Sequence, residues 1–119
     1  MKKCLIIDDV QVSRYTMDMF LEELGYTCTE AVDTESAFEA LKKDRFDVVI
    51  LDWHLKKEDG LAAIENIKST AQGAKIIVIS GVEGADKASE ARKAGAAAFV
   101  EKPTSKDKLE KALKESGAL

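Results

Sequence analysis

Apolar and polar positions alternate along the chain in two different rhythms. Short runs in which almost every residue is apolar, such as 47–51, predict buried strands. Between these runs, apolar residues recur every three or four positions, which predicts helices with one buried face. The first predicted helix shows this spacing at Met17, Phe20, Leu21 and Leu24. Because the strands lack polar alternation, we expect them to be covered on both faces, as in the parallel sheets of α/β proteins.

The two rhythms alternate five times. The predicted strands cover residues 4–7, 26–31, 47–51, 76–79 and 97–100. Asp33 or Thr34 can cap the second helix, since either side chain can accept hydrogen bonds from the free amides of a first turn. Thr104 or Ser105 can do the same for the last helix. No Pro/Gly-rich linker or low-complexity segment interrupts the pattern, so residues 1–119 are predicted to form one domain.

Composition and charge exclude several classes of protein. No apolar run approaches the roughly 18 residues that span a membrane. The apolar stretch near the N-terminus is too short for a signal peptide and ends at Asp8 and Asp9. We therefore expect a cytoplasmic protein with no membrane partner. The net charge of −4 argues against direct binding to nucleic acid, which needs a basic surface.

Cys4 and Cys28 both lie in predicted strands. A structural disulfide would be unusual in a cytoplasmic protein. Two cysteines and a single histidine match no zinc-site spacing. We therefore expect two buried, reduced thiols.

Polar side chains stand at the ends of four of the five predicted strands. The first, third, fourth and fifth strands are followed, in order, by Asp8 with Asp9, by Asp52, by Ser80 and by Lys102. In open α/β sheets, ligands bind outside the carboxyl ends of the strands, where the strand order reverses. Taken singly, each of these residues has an ordinary role as a turn, a helix cap or a solvated charge. Their coincidence on four strand ends favours one common site.

The residue types at these strand ends suit phosphoryl transfer. Three carboxylates brought together repel one another unless a cation neutralises them. Mg²⁺ typically binds one or two protein carboxylates and keeps positions for water and phosphate oxygens. A lysine and a hydroxyl group can contact the same phosphate. An aspartate acting as nucleophile would form an aspartyl phosphate.

Over essentially its whole length, the chain resembles a known family, the receiver domain of two-component response regulators. It is similar to the single-domain members that resemble chemotaxis regulators. The segments that carry the resemblance are Leu5-Ile6-Ile7-Asp8-Asp9, Asp47-Val48-Val49-Ile50-Leu51-Asp52, Asp59-Gly60, Ile79-Ser80, Ala94-Gly95-Ala96 and Lys102-Pro103. The resemblance implies a flavodoxin-like (βα)5 fold, in which a doubly wound five-stranded parallel sheet has the strand order 2-1-3-4-5.

The resemblance also implies the parts of a phosphorylation site. Asp52 is similar to the phosphoacceptor of the family. Asp9 and Asp52 resemble direct Mg²⁺ ligands, the backbone carbonyl of His54 resembles a third ligand, and Asp8 resembles a residue that acts through water. Lys102 is similar to the lysine that pairs with the phosphoryl group.

A conformational switch is implied by the same resemblance. Ser80 resembles the hydroxyl residue that moves to bond the phosphoryl group. Phe99 stands where the family has an aromatic ring that turns inward, although a plain core residue is the alternative interpretation. Such a ring can swing but, as phenylalanine, has no hydroxyl to donate. The implied output surface is formed by the fourth helix, the fifth strand and the fifth helix. The peptide bond before Pro103 is expected to be cis.

Two positions resemble those that set how long the phosphate lasts. His54 stands two residues after Asp52, and Val82 stands two residues after Ser80. An apolar side chain at the second position cannot align an attacking water, which predicts slow hydrolysis. His54 could partly substitute for it, or could simply be a solvated loop residue. The family commonly has proline at position 56, where this chain has Lys56.

The implied partners are a sensor histidine kinase or a histidine phosphotransfer protein as donor, and a downstream protein that the sequence does not name. The chain would be a monomer or a phosphorylation-dependent dimer, and not a turnover enzyme. Its Met1 start and short tail favour a stand-alone regulator over an excised receiver domain.

Three alternatives remain open at this stage. A phosphatase with an aspartate nucleophile usually has a second acid two residues later, and this position is His54. A flavin or nucleotide carrier of the same topology would need a phosphate-binding loop, and the loop after the first strand has neither a G-x-G-x-x-G nor a P-loop pattern. A degenerate receiver acting only as a scaffold is disfavoured by the complete set of polar strand ends.

Overall fold

The computed structural model describes residues 2–53, 60–71, 73–81 and 88–119. Strands and helices alternate along these residues. The strands are β1 (Lys2–Ile7), β2 (Tyr26–Ala31), β3 (Val48–Asp52), β4 (Lys75–Ser80) and β5 (Ala98–Glu101). The helices are α1 (Gln11–Glu23), α2 (Thr34–Lys43), α3 (Gly60–Thr70), α4 (Ala88–Ala94) and α5 (Lys106–Ser116). Every predicted strand is confirmed, with its ends moved by at most two residues.

All five strands form one parallel sheet in the order β2-β1-β3-β4-β5. The predicted flavodoxin-like fold and its strand order are therefore confirmed. β1 and β3 are neighbours, with Ile7 beside Leu51, and Asp52 at the end of β3 lies beside Ile79 of β4. The strand order reverses at β1 and β3, so the residues that follow them meet at one edge of the sheet.

The sheet has a separate apolar core on each face. Cys4 and Ile6 of β1 pack on the face covered by α1 and α5. Leu5 and Ile7 point to the opposite face, which is covered by α2, α3 and α4. Both sets of side chains are fully buried, which explains why this strand shows no polar alternation. The edge strand β2 differs, because several of its residues are exposed.

Two helix caps left open by the sequence are settled by the structure. The Asp33 side chain accepts a hydrogen bond from the Ser36 amide, and Ser36 in turn bonds the Asp33 amide, so Asp33 caps α2. The Ser105 side chain accepts from the Lys108 amide and caps α5. Within the described ranges, no helix combines the length and the apolar composition that a membrane crossing requires.

The two cysteines are both free thiols. Cys4 is fully buried, and burial raises the pKa of its thiol well above the ordinary range. Cys28 lies beside Cys4 in the strand register but is only half-buried. The expectation of two buried thiols was therefore wrong for Cys28, because β2 is an edge strand that α1 covers only in part.

Candidate functional site

Three carboxylates converge at the carboxyl ends of β1 and β3. Asp8 and Asp9 follow β1, and Asp52 is the last residue of β3. Each offers a carboxylate oxygen within 4.8 Å of the other two. Asp8 and Asp52 are buried, whereas Asp9 is partly exposed and opens the cluster to solvent. The structure therefore brings together the three carboxylates that were expected to share one edge of the sheet.

Asp8 is held by its own backbone and by one of its side-chain oxygens. Its carbonyl accepts a hydrogen bond from Arg14 Nη1 at 2.7 Å, and its amide donates to the Ala31 carbonyl at 3.1 Å. Its Oδ1 accepts from the Val10 amide at 2.8 Å. Its Oδ2 is buried and accepts no hydrogen bond from any described residue. A buried carboxylate oxygen without a donor is costly, so this atom indicates a site for a cation.

The raised pKa of Asp8 also indicates a cation site. Burial raises the pKa of this carboxyl group, and the nearby charge of Asp52 raises it further. The Ser13 side chain, the Val10 amide and the charge of Lys102 oppose this shift without cancelling it. A bound cation would stabilise the ionised form of Asp8, which the protein alone disfavours.

Lys102 and Ser80 complete the site from the other side. Lys102 Nζ donates to Asp52 Oδ2 at 3.2 Å, and its side chain is 36% exposed. The Lys102 amide donates to the Ser80 carbonyl at 2.7 Å, which joins the ends of β5 and β4. Ser80 is fully buried. The peptide bond between Lys102 and Pro103 is cis, as the resemblance implied.

The donor set fits a hard divalent cation. It offers carboxylate oxygens, one of them buried without a hydrogen-bond donor, and it is open on the side of Asp9. Among the described residues, Lys102 is the lysine paired with this cluster, and one ammonium group does not balance three carboxylates. Carboxylate oxygens at this spacing suit Mg²⁺ or Ca²⁺ better than softer metals.

Of the remaining predicted residues, Phe99 is the one that the structure describes. Phe99 is half-buried on β5, beside Val78 in the strand register, and packs against the core under α3 and α4. It does not belong to the acidic cluster. His54, including its backbone carbonyl, and Val82 lie outside the described residues.

Sequence reasoning missed two residues of α1 that position Asp8. Arg14 binds the Asp8 carbonyl, and the Ser13 side chain interacts with the Asp8 carboxyl group. A signal was present, because both stand in the first turns of the helix that directly follows the two aspartates. The apolar spacing of that helix predicts only which face is buried and does not indicate these polar contacts.

A groove adjoins the site on the side of α1. Its volume is about 580 Å³, and its walls include Val10, Ser13 and Met17 on one side and Lys102 and Pro103 on the other. Next to it, the outer face of α1 exposes three large apolar side chains, those of Val12, Tyr15 and Met19. Exposed apolar side chains grouped beside a groove are typical of a surface that contacts another protein.

Fold and site together define a flavodoxin-like α/β domain with an acidic cluster at the switch point of its sheet. The chain belongs to the family of response regulator receiver domains of two-component systems, whose family model matches residues 4–114. This membership favours the receiver interpretation over the phosphatase and flavin-carrier alternatives.

Comparison with known proteins supports the assignment. The chain is 32% identical to the chemotaxis protein CheY-3 of Vibrio cholerae over 116 residues, which cover 92% of this chain and 89% of that protein. The receiver domain of NtrX from Brucella abortus superimposes with a TM-score of 0.88 and 30% identity, covering 95% of this chain and 96% of that one.

A second similar structure carries ligands. It is a response regulator from Burkholderia pseudomallei with a phosphorylated aspartic acid, a calcium ion and citrate. It has a TM-score of 0.86 and 29% identity to this chain, and the match covers 95% of this chain and 66% of that one.

Proposed function

We propose that Asp52 accepts a phosphoryl group from a phosphohistidine, carried by a sensor histidine kinase or a histidine phosphotransfer protein. The observation that carries this proposal is the buried Asp52 carboxylate, paired with Lys102 and within 4.8 Å of two further carboxylates. A nucleophile held beside a cationic side chain and a cation site is what phosphoryl transfer requires, because catalysis consists mainly of positioning and charge neutralisation.

The transfer forms one bond and breaks another. A carboxylate oxygen of Asp52 attacks the phosphorus, and the bond between phosphorus and the donor imidazole nitrogen breaks. The electron pair of that bond leaves with the imidazole, which then takes a proton from solvent. Hydrolysis reverses the state of Asp52: water attacks the phosphorus, the carboxylate leaves, and inorganic phosphate is released.

The cation of this site would be Mg²⁺, held by Asp8, Asp9 and Asp52. When bound, it would neutralise the carboxylates and the phosphoryl oxygens that approach them. The buried Oδ2 of Asp8, which lacks a hydrogen-bond donor among the described residues, supports this role. The small number of protein carboxylates favours Mg²⁺ over Ca²⁺, which takes more protein ligands. The backbone carbonyl of His54 stays the proposed third direct ligand.

Lys102 and Ser80 would respond to the phosphorylation of Asp52. Lys102 Nζ would exchange its bond to the Asp52 carboxylate for one to a phosphoryl oxygen, since the doubly charged group is the stronger acceptor. The Ser80 hydroxyl would donate to the same group. Ser80 and Lys102 are already joined through their backbones, so a shift of one strand end is passed to the other.

The output surface would be formed by α4, β5 and α5. Among the described residues of α4, Ala91 is the one that is buried, so the helix is anchored by little apolar area and can shift at low cost. Phe99 lies on β5 in this surface and is half-buried. Inward rotation of its ring would couple the movement of Ser80 to the surface that a downstream protein contacts.

The phosphodonor would dock at the groove beside α1. Any donor histidine must reach Asp52 past the partly exposed Asp9, and the groove borders Lys102 on that path. The exposed Val12, Tyr15 and Met19 would supply the apolar contact area. Such docking needs no nucleic acid or membrane partner, and the kinase would meet the chain in the cytoplasm.

The chain would act as a switch and not as a turnover enzyme. Its phosphoryl group would be lost by slow hydrolysis, with His54 and Val82 setting the lifetime. The protein would work as a monomer or as a phosphorylation-dependent dimer, and residues 1–119 would form one phosphoacceptor domain.

Intact-mass measurement tests the proposal. The protein is incubated with acetyl phosphate, with and without Mg²⁺, and in parallel with a phosphorylated histidine phosphotransfer protein. We expect a Mg²⁺-dependent gain of about 80 Da, the mass of one phosphoryl group on a nucleophile. The gain should be absent in Asp52→Asn and present in the surface control Asp107→Asn. A wild-type protein that gains no mass from either donor, or an Asp52→Asn variant that still does, would refute the assignment.

A further inference from the structure

A second charged cavity lies at the opposite end of the sheet from Asp52. It is formed where α3 and α4 end and β4 begins, and its volume is about 630 Å³. Four basic side chains line it: Lys68, Lys75, Arg92 and Lys93. Its described lining contains no aspartate or glutamate. In a chain with a net charge of −4, such a concentration of one sign is unexpected.

Within the described part of the chain, the four cations have no acidic partner. None of them forms an ion pair with a described acidic residue, whereas Lys3 pairs with Asp44 at 2.8 Å elsewhere on the surface. Like charges that converge on one cavity repel one another. An anion that entered the cavity would relieve this repulsion and would meet several donors at once.

The C-termini of two helices neutralise only part of the positive charge in the cavity. α3 and α4 both direct their C-termini toward the cavity, and each terminus carries a partial charge of about −0.5. Together these termini offset roughly one of the four positive charges. Lys93 also borders a neighbouring groove that contains Glu65 and Glu90, so its charge is partly shared. At least two positive charges remain available to a ligand.

One of the four side chains is positioned by the backbone. Gly95 has a φ of +128°, and a Cβ atom at this position would clash with Lys68 Cδ and come within 3.2 Å of Lys68 Cε. The aliphatic part of Lys68 therefore occupies the space that the missing side chain leaves. This contact places the stem of Lys68 against Gly95, another residue of the cavity lining.

We propose that this cavity binds a compact oligophosphate anion, such as the diphosphate of a nucleotide. Arg92 offers a planar fork that matches phosphate oxygens, and Lys68 and Lys75 add point charges. The volume lies in the range of small-molecule sites. A compact cavity suits a small anion better than an extended polyanion, which needs a longer basic surface.

Titration of the metal-free protein with sodium pyrophosphate at low ionic strength tests the site. We expect shifts in the backbone amide signals of Gly95 and Ala97, which line the cavity, while the signals of Asp9 and Ser80 stay in place. Orthophosphate should bind more weakly, since it reaches fewer of the cations. The affinity for pyrophosphate should fall steeply as salt is added.

Matched variants carry the decisive comparison. Lys68→Gln and Arg92→Gln should each weaken pyrophosphate binding about tenfold, the usual effect of one charged hydrogen bond. The control Lys111→Gln removes the same charge from the exposed face of α5 and should bind like the wild type. Two separate variants keep the test valid if one of them fails to fold, which circular dichroism reports.

Two further probes distinguish a soluble ligand from a membrane lipid as the source of the bound phosphates. ATP without Mg²⁺ and vesicles containing phosphatidylinositol 4,5-bisphosphate present the same chemistry free in solution and on a membrane. Binding of either probe that is weakened in Lys68→Gln and Arg92→Gln supports the site, provided that pyrophosphate also binds. The absence of amide shifts at millimolar pyrophosphate, or equal affinities of these variants and Lys111→Gln, would overturn it. The site is separate from the phosphoacceptor, so Asp52→Asn should bind pyrophosphate as the wild type does.

Discussion

Lys102 Nζ reaches Asp52 Oδ2 over 3.2 Å, and this ion pair connects two strands that are not neighbours. Asp52 ends β3 and Lys102 follows β5, with β4 between them. The amide of Lys102 also bonds the carbonyl of Ser80, the last residue of β4. Three strand ends are thus linked through one lysine, and any group that displaces its ammonium from Asp52 acts on all three.

Replacing this lysine should tighten the binding of the divalent cation while impairing phosphoryl transfer. Lys102→Gln removes the positive charge that is paired with Asp52 in the acidic cluster. We expect Mg²⁺ affinity to rise about five- to tenfold, which corresponds to roughly 1 kcal/mol of electrostatic free energy. Trp53 is the only tryptophan and directly follows Asp52, so its fluorescence reports the titration. Lys111→Gln is the matched control, and unchanged or weaker Mg²⁺ binding in Lys102→Gln would contradict the argument.

Neutralising Asp8 should have opposite effects with and without metal. Without a cation, Asp8→Asn removes a buried charge whose Oδ2 has no hydrogen-bond donor among the described residues. We expect the free energy of unfolding of the metal-free protein to rise by about 1–2 kcal/mol. Excess Mg²⁺ should stabilise the wild type more than the variant, because the variant has lost one of the carboxylates that would hold the cation.

Urea unfolding at neutral pH, in EDTA and in excess Mg²⁺, measures both effects on Asp8→Asn. Glu39→Gln serves as the control, because Glu39 is exposed and its ion pair with Lys42 spans 3.6 Å. A metal-free Asp8→Asn protein that is less stable than the wild type would show that Asp8 is a structural residue and not a cation ligand.

The parts of the fold that the sequence predicted are those that depend on short-range pattern. Apolar runs marked most of the strands, and the ends of β1, β3, β4 and β5 carried the polar residues that now meet at one edge of the sheet, as with Asp52 and Ser80. These residues could be grouped without coordinates, because the carboxyl ends of parallel strands share one edge.

What the sequence did not reveal depends on how elements pack. The contact of Arg14 with the Asp8 carbonyl follows from the rotation of α1 on the sheet, which an apolar period defines only approximately. Cys28 is half-buried because its strand is at the edge. In the sequence, Lys68 and Arg92 are ordinary basic residues in the last turns of two helices. The packing of α3 beside α4 brings them to one cavity.

Tyr26 should link the stability of the fold to alkaline pH. Its hydroxyl donates to the Ala118 carbonyl, which also accepts from Lys2 Nζ at 2.7 Å. Burial raises the pKa of Tyr26 to about 12. The neutral phenol is therefore favoured in the folded state, and its contribution to stability is complete below the ordinary pKa of 10.0 and is lost as the pH rises toward 12.

The substitution Tyr26→Phe isolates this effect. It should lower the free energy of unfolding at neutral pH by about 1 kcal/mol, through the loss of one buried hydrogen bond. Above pH 10 the deficit should shrink, because only the wild type has to ionise a buried phenol. Chemical denaturation of both proteins across this range gives the difference, in which the titration of lysines cancels. A deficit that stays constant up to pH 12 would contradict the assigned role of the hydroxyl.

Asp18 on α1 should weaken the fold at neutral pH. Its Oδ1 is buried and accepts no hydrogen bond within the described part of the chain. Burial raises its pKa, and the charge of Glu22 and a hydrogen bond with Glu30 raise it further, against a smaller opposing contact with Cys28. Glu30 itself is paired with Arg14 at 3.0 Å, which leaves that guanidinium little capacity to stabilise Asp18.

The sign of the pH dependence follows from the raised pKa of Asp18. Above its ordinary value of 3.8, the folded protein holds a proton that the unfolded chain has already lost, so stability falls as the pH rises through the folded-state pKa. The free energy of unfolding of Asp18→Asn should therefore match that of the wild type below the ordinary pKa of 3.8. At neutral pH it should exceed the wild-type value by about 1 kcal/mol, because the amide can donate to a neighbouring carboxylate. Urea denaturation from acidic to neutral pH measures the difference, with Glu39→Gln again as the control. A variant that is less stable than the wild type at neutral pH would mean that the ionised carboxylate has a donor or a cation that stabilises it.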